Sequence, residues 1–246
     1  MTNGDYPWTR RISNASLMLA LAATVVAFGG MTLARYDLIG KMPGFFSLAF
    51  GALLAAAAAI LALVGLIMNA RQQWPHGRSA LLGLIIGGIF VGALTIRVIS
   101  TSGVPAIHDA TTDLADPPNY VALPLSPDNL RGLEGGEEQW RELHSQAYDD
   151  LVTIKINAPV ADVIASAEEL ARDRGWTIAL VDPDAGRLEA TAYASWIKFN
   201  DDVVLRVVPD DSGSIIDMRS VSRVGVSDLG ENAKRIRKFL ADLQAE

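Results

Sequence analysis

The sequence predicts a three-span α-helical membrane bundle followed by an α+β soluble domain built on an antiparallel sheet. Three observations predict it. Three apolar stretches, each long enough at about 20 residues or more to cross a bilayer, occupy most of the first hundred residues. Charge then changes sign: residues 1–103 hold seven Lys/Arg and two Asp/Glu, whereas 104–246 hold fourteen Lys/Arg and twenty-six Asp/Glu, a net of −12. From residue 151 onward the hydrophobic period switches between that of strands and that of helices in the order β-α-β-β-β-β-α, which packs as a sheet with helices on one face.

The apolar stretches run over residues 15–34, 45–68 and 79–100. A hydrocarbon core of ~30 Å needs about 20 helical residues at ~1.5 Å each. Arg97 is the single charge within them, near enough to a helix end to reach the interface. Arg10 and Arg11 ahead of the first stretch resemble a signal-peptide start, but the run is long and two more spans follow it. The same arginines, with Arg71 and Arg78 in the second loop, outnumber Arg35 and Lys41 in the first. Positive flanks stay in the cytoplasm, so the N-terminus is expected inside a bacterial inner membrane and the C-terminal domain in the periplasm. Gly83, Gly87, Gly88 and Gly92 repeat small residues at four-residue spacing and are expected to pack helices, within this bundle or against another membrane subunit. The spans lack acidic residues and histidine, which argues against an ion pathway.

Residues 104–150 are irregular and Pro-rich, with Pro117-Pro118, Pro124 and Pro127 enforcing extended or turning backbone, so this segment is expected to link or to wrap the domain. A short helix is expected over 137–148. The α+β domain is expected over 151–246. A strand is read at 152–156. Asn157 and Pro159 then start a helix with apolar positions Val160, Val163, Ile164, Ala167, Leu170 and Ala171, and Gly175 ends it. Strands follow at 176–181, 187–194, 202–208 and 214–224, the last two joined by a Pro-Asp-Asp-Ser-Gly hairpin. Ser227 is read as the cap of a final helix carrying Leu229, Ala233, Ile236, Leu240 and Leu243.

Composition excludes some chemistry. With no cysteine there is no disulfide, thiolate catalysis or cysteine-bound metal. The acidic domain argues against nucleic acid as a partner, leaving the bilayer and another membrane protein or complex. Gly-rich phosphate loops, G-x-S-x-G, H-E-x-x-H and EF-hand patterns are absent from the sequence, so it implies no cofactor.

Two polar clusters remain. His108, Asp109 and Asp113 combine an imidazole with carboxylates, the groups of acid–base or metal chemistry, but the spacing fits no zinc pattern, and the aspartates equally suit turn caps beside Thr111 and Thr112. His76 and His144 read as loop and surface-helix residues. The second cluster is Asp202, Arg206, Asp217, Arg219, Arg223, Asp228, Asn232 and Arg235. Its structural reading is an ion-pair network in which Arg219 or Arg223 reaches Asp202 or Asp228; its functional reading is an anion site using Arg219, Arg223 and Asn232 at the start of the last helix. Trp196 and Phe199 fall in a break between strands and suit either the core or a ligand groove.

Two segments carry a resemblance: Ile107-His-Asp-Ala-Thr-Thr-Asp113 with Pro117-Pro118, and Phe199-Asn-Asp-Asp202 followed by the run from Asp217 to Ile236. Over about residues 104–245 the sequence resembles the domain-of-unknown-function family 1499, which occurs in bacteria and plastids, often behind membrane helices. Ala110 and Asp149 depart from the family's usual pattern. The resemblance implies the domain and no particular reaction. The expectation is thus a membrane-anchored extracytoplasmic binding or accessory/assembly protein, more in keeping with a non-enzyme. A hydrolase or metal-dependent enzyme using His108, Asp109 and Asp113 is the alternative, and a carrier of lipid or another hydrophobic ligand is the third reading.

Overall fold

A computed structural model describes residues 6–74, 76–123 and 125–245; Pro124, expected to shape the irregular segment, lies outside them. The chain forms two compact units, Met1–Ser102 with Trp196–Lys198, and Gly103–Ser195 with Phe199–Glu246.

The first unit consists mainly of helices α1 (Pro7–Arg35), α2 (Lys41–Ala70) and α3 (Gly77–Ser100), all long and apolar enough to cross a membrane. Their contacts are made by small residues. Ser13, Ala20, Ala27 and Ala34 of α1 and Gly44, Gly51, Ala58 and Gly65 of α2 recur every seven positions and are all buried. Phe28, Leu53, Ile60 and Ile89 point outward. This is the inverse of a soluble bundle: lipid solvates the large side chains, and close backbone approach supplies the packing. A Cβ on Gly51 would lie 2.7 Å from the Ala27 methyl and 2.9 Å from the Ala23 carbonyl oxygen. Buried Asn69 donates to Ser13 Oγ (3.0 Å) and the Gly65 carbonyl (2.7 Å), and accepts from the His76 amide.

The second unit holds β1 (Asp109–Thr111), α4 (Gly136–Ala147), β2 (Ile154–Ile156), α5 (Val160–Asp173), β3 (Thr177–Asp182), β4 (Arg187–Ala194), β5 (Phe199–Asp210), β6 (Gly213–Ser222) and α6 (Glu231–Leu243). The sheet is antiparallel, in order β1-β6-β5-β4-β3, with β2 also on β6. β1 and β2 share one edge of β6, β1 against 219–221 and β2 against 214–216. From β2 onward the order is the expected β-α-β-β-β-β-α. β1, a three-residue strand in the irregular segment, was not foreseen.

Side chains alternate across a strand, so register sorts the sheet into two faces. Leu188 and Ala192 of β4, Val203, Leu205 and Val207 of β5, and Ile216 and Met218 of β6 meet Val163, Ile164 and Ala167 of α5 and Ile236, Phe239 and Leu240 of α6 in one core. The carrier reading places its apolar cavity between these strands and the last helix, where these residues are buried against one another. The other face bears Arg187, Glu189, Thr191, Asp202, Val204, Arg206, Asp217, Arg219 and Val221.

Helix ends follow local chemistry. Gly175, at φ 70°, closes α5: its amide bonds to Arg172 and that of Trp176 to Ala171, the paired bonds of a Schellman stop. The start of α6 corrects the expectation placed on Ser227. The helix begins at Glu231 after Gly230, and the Asp228 carboxylate receives the Gly230 and Asn232 amides at 2.9 and 2.6 Å. A carboxylate facing free amides also brings the negative charge that the positive end of a helix favours.

Candidate functional site

The polar sheet face is charged yet buried. Glu189 is 0% exposed and Asp109 2%. Residues 112–123 and 125–131, part of the segment 104–150 expected to link or wrap, lie across it, and their backbone and side chains bond to many of its charges.

Arg219 stands opposite Thr111 in the ladder and reaches diagonally to Asp109. Its Nε and Nη2 donate to the two carboxylate oxygens at 2.9 and 2.6 Å, a bidentate pair. Asn129 Nδ2 adds a bond to Asp109 Oδ2 at 2.6 Å, and Trp140 Nε1 donates to the Asp109 carbonyl at 3.0 Å. Burial, the largest single influence, opposes the charge on Arg219, but its bond to Asp109 and the negative charge of Asp109, with smaller contributions from Tyr120 and Glu137, together raise its pKa.

Asp202 and Arg223 form a second bidentate pair, at 2.9 and 2.7 Å, with Thr191 Oγ1 bonded to both. Tyr120 donates its hydroxyl to the Asp202 carbonyl at 2.8 Å, and burial pushes its pKa well up. Arg206 gathers Asp113, Asp116 and Asp217 at 2.9, 2.7 and 3.0 Å. Asp217 fills the gap between β1 and β2, accepting from Thr112 and Thr153 hydroxyls. Asp113 also caps a turn by accepting the Ala115 and Asp116 amides.

Glu189 was not singled out from sequence and is the most telling of the group. Its carboxylate accepts three consecutive backbone amides of the covering segment: Val121 at 2.6 Å, Ala122 at 2.8 Å and Leu123 at 2.8 Å. Such a run of amides forms an anion-binding nest, here occupied by the protein's own carboxylate.

The expected sites are thus redistributed. Asp202, Arg206, Asp217, Arg219 and Arg223 share the covered face. Asn232, Arg235 and Asp228 do not join them. Arg235 pairs with Asp201 at 2.6 Å, Asn232 bonds Ser220, Ser222 and the His108 carbonyl, and Asp228 caps α6. The anion site expected from Arg219, Arg223 and Asn232 therefore does not assemble at α6, because Arg219 and its neighbour Ser220, which bonds Asn232, point to opposite faces of β6, and Arg219 is already held by Asp109. His108, Asp109 and Asp113 do not converge either; each carboxylate has its own arginine. The His108 side chain is buried, 2% exposed, with the backbone of Val226 and Asn129 beside its ring nitrogens. Burial, then the nearby Arg131 guanidinium, lower its pKa. His144, expected on a surface helix, is instead buried, its Nε2 accepting the Thr111 amide at 3.1 Å. Among the described residues no three His, Asp or Glu side chains gather as a metal site.

Trp196 lies between β4 and β5, is 56% exposed and groups with the first unit rather than the core. In α3, a Cβ on Gly83 would meet Ser16 (2.7 Å to Oγ), and one on Gly87 would meet the Ala55 carbonyl oxygen at 2.8 Å. Gly88 and Gly92 face open space, so the packing expected of all four glycines falls to two within this chain.

One solvent-facing cleft borders the network. It measures about 310 Å³ and is lined by Leu123, Leu125, Asn129, Asp202, Ser222 and Arg223, among others. Arg223, 44% exposed, is the guanidinium of the network most open to solvent.

These features define an α+β domain whose charged sheet face is closed by its own leading segment, carried behind three apolar, membrane-length helices. The chain belongs to the family described as protein of unknown function (DUF1499), which matches residues 109–243. No curated protein matches it.

Proposed function

We propose that this chain is a membrane-anchored binding or accessory protein of a bacterial inner membrane, its N-terminus cytoplasmic and its family domain periplasmic. One observation carries the binding reading. The carboxylates and guanidiniums that sequence marks as reactive neutralise one another inside the fold, and each buried carboxylate accepts bonds from groups that fix it. A general acid, base or nucleophile needs a lone pair or proton directed at a substrate. What the domain offers outward is surface: the cleft beside Arg223 and exposed residues around it. The orientation rests on the Lys/Arg distribution in the loops, and the anchor on three spans free of acidic residues and histidine.

Two experiments test it. Alkaline phosphatase fused after the last residue is expected to be active, and a green fluorescent protein fusion dark when exported in unfolded form; the reverse pattern would place the domain in the cytoplasm. Crosslinking in intact cells followed by purification in mild detergent is expected to recover a defined membrane partner. A chain that runs alone under every crosslinker, while purified protein turns over a hydrolase substrate, would overturn the binding reading.

A further inference from the structure

A second cleft, about 260 Å³, lies between α6 and the β3–β4 side of the sheet. The structure assigns it as an anion site, and we infer that it takes a phosphate-bearing ligand. The assignment names a ligand class for the binding reading above but stands on a different surface.

Its charge is out of character with its surroundings. The second unit is strongly acidic, yet the cleft is lined by Arg174, Lys234, Arg235 and Lys238 against one carboxylate, Glu231. Two of the cations are committed: Arg235 to Asp201 at 2.6 Å, and Arg174 to Asp242 and the Lys238 carbonyl. Lys234 is 73% exposed and makes a long salt bridge of 3.7 Å to Glu231. Lys238 has no carboxylate partner among the described residues. Lys234 and Lys238 stand one helical turn apart, where like charges repel. That arrangement disfavours the empty helix and is relieved by an anion bridging both ammonium groups.

The cleft also has an aromatic lining. Trp176 is stacked on Phe239, ring centroids 5.0 Å apart at 18°, which fixes its plane. Tyr193 is 41% exposed and hydrogen-bonded to Thr177. Two ammonium groups on long side chains suit the several oxygens of a tetrahedral phosphate, and the rings suit the carbon skeleton attached to it. Inorganic phosphate and the phosphate of a lipid headgroup share this chemistry.

The test is calorimetric titration of the full chain in a neutral detergent, at constant ionic strength, with inorganic phosphate, with soluble short-chain phosphatidylglycerol and with chloride. Saturable binding of phosphate or phosphatidylglycerol over chloride is expected, and Lys234→Ala with Lys238→Ala should weaken it about tenfold through loss of two charge-assisted contacts. Lys155→Ala, remote and paired with Asp210, should not. Phosphatidylglycerol binding much more tightly than phosphate identifies a lipid source; equal affinities identify free phosphate. The single variant Lys238→Gln serves if the double variant unfolds. No saturable response to either probe, or one unchanged in the lysine variants, overturns the assignment; recovery of a crosslinked partner in that case would leave the binding reading standing.

Discussion

Arg219 and Asp109 lie 110 residues apart in sequence and meet through two parallel hydrogen bonds, in a place where neither side chain is more than a tenth exposed. The pair fastens β1, and with it the start of the covering segment, to the centre of β6. Around it the charges of the polar sheet face find counterparts in residues 112–123 and 125–131 or in a neighbouring strand.

Glu189 anchors the middle of that cover. Glu189→Gln replaces an acceptor oxygen with an NH₂ group facing backbone donors, and is expected to cost about 1.5–3 kcal/mol. Hydrogen exchange should report it locally: the Val121, Ala122 and Leu123 amides should lose protection before the rest of the domain. Unchanged protection there would mean the cover is held by its flanks alone.

Acid should loosen the same region. His108 and His144 both sit below the usual imidazole value of 6.5, chiefly because burial disfavours their charged forms. Arg131 adds to this at His108, while Asp109 opposes it at both. The unfolded chain therefore binds protons that the folded domain refuses. The contribution to stability is complete above the unfolded value and is lost as pH falls below it toward the folded values. Asp228, raised by burial, acts in the opposite sense but in the carboxyl range. Denaturation midpoints measured at about pH 7.5 and about pH 5.5 should fall with pH, and His144→Gln should flatten the dependence. Equal midpoints would refute it.

Gly186 turns the chain from β3 into β4 at φ 61°, and a Cβ there would stand 1.9 Å from the Val207 carbonyl oxygen. Gly186→Ala meets both a strained backbone and rigid main chain. The expected loss is at the upper end of about 0.5–3 kcal/mol or beyond, read as thermal stability, whereas Gly103→Ala, with open space around it, should be neutral.

In the membrane unit Gly83, Gly87, Gly88 and Gly92 of α3 should separate. Gly83→Leu and Gly87→Leu drive a side chain into the backbone of α1 or α2 and should lower the bundle's stability in detergent. Gly88→Leu and Gly92→Leu point to open space and should leave it unchanged. Equal damage from all four would show that a different face packs.

The helices, the succession of elements from β2 onward and β4 to the residue were legible in sequence because apolar periodicity reports burial against a core. The polar face was not. Arg187, Glu189 and Thr191 alternate with apolar residues just as a solvated face would, and nothing in a segment without periodicity says that it folds over them. Trp140, His144 and Tyr148 do leave a trace: spaced four apart, they mark the inner side of α4, which its many charges disguised. The seven-residue recurrence of small residues in α1 and α2 was equally present in the sequence. It was overshadowed by the denser glycines of α3, of which Gly88 and Gly92 face outward.

The central claim is that these ion pairs close the fold rather than perform chemistry. The most direct test is the heat-unfolding midpoint of the domain, followed by near-ultraviolet circular dichroism on the full chain, for Asp109→Asn, Arg219→Met and the two combined. Removing one partner of a buried pair strands the other, so each single change should cost about 3–5 kcal/mol, or roughly 10 °C and more, and the double variant should be no worse than the worse single one. A carboxylate poised for catalysis behaves oppositely, because its replacement relieves strain. An Asp109→Asn protein as stable as the parent, or more so, would contradict the account.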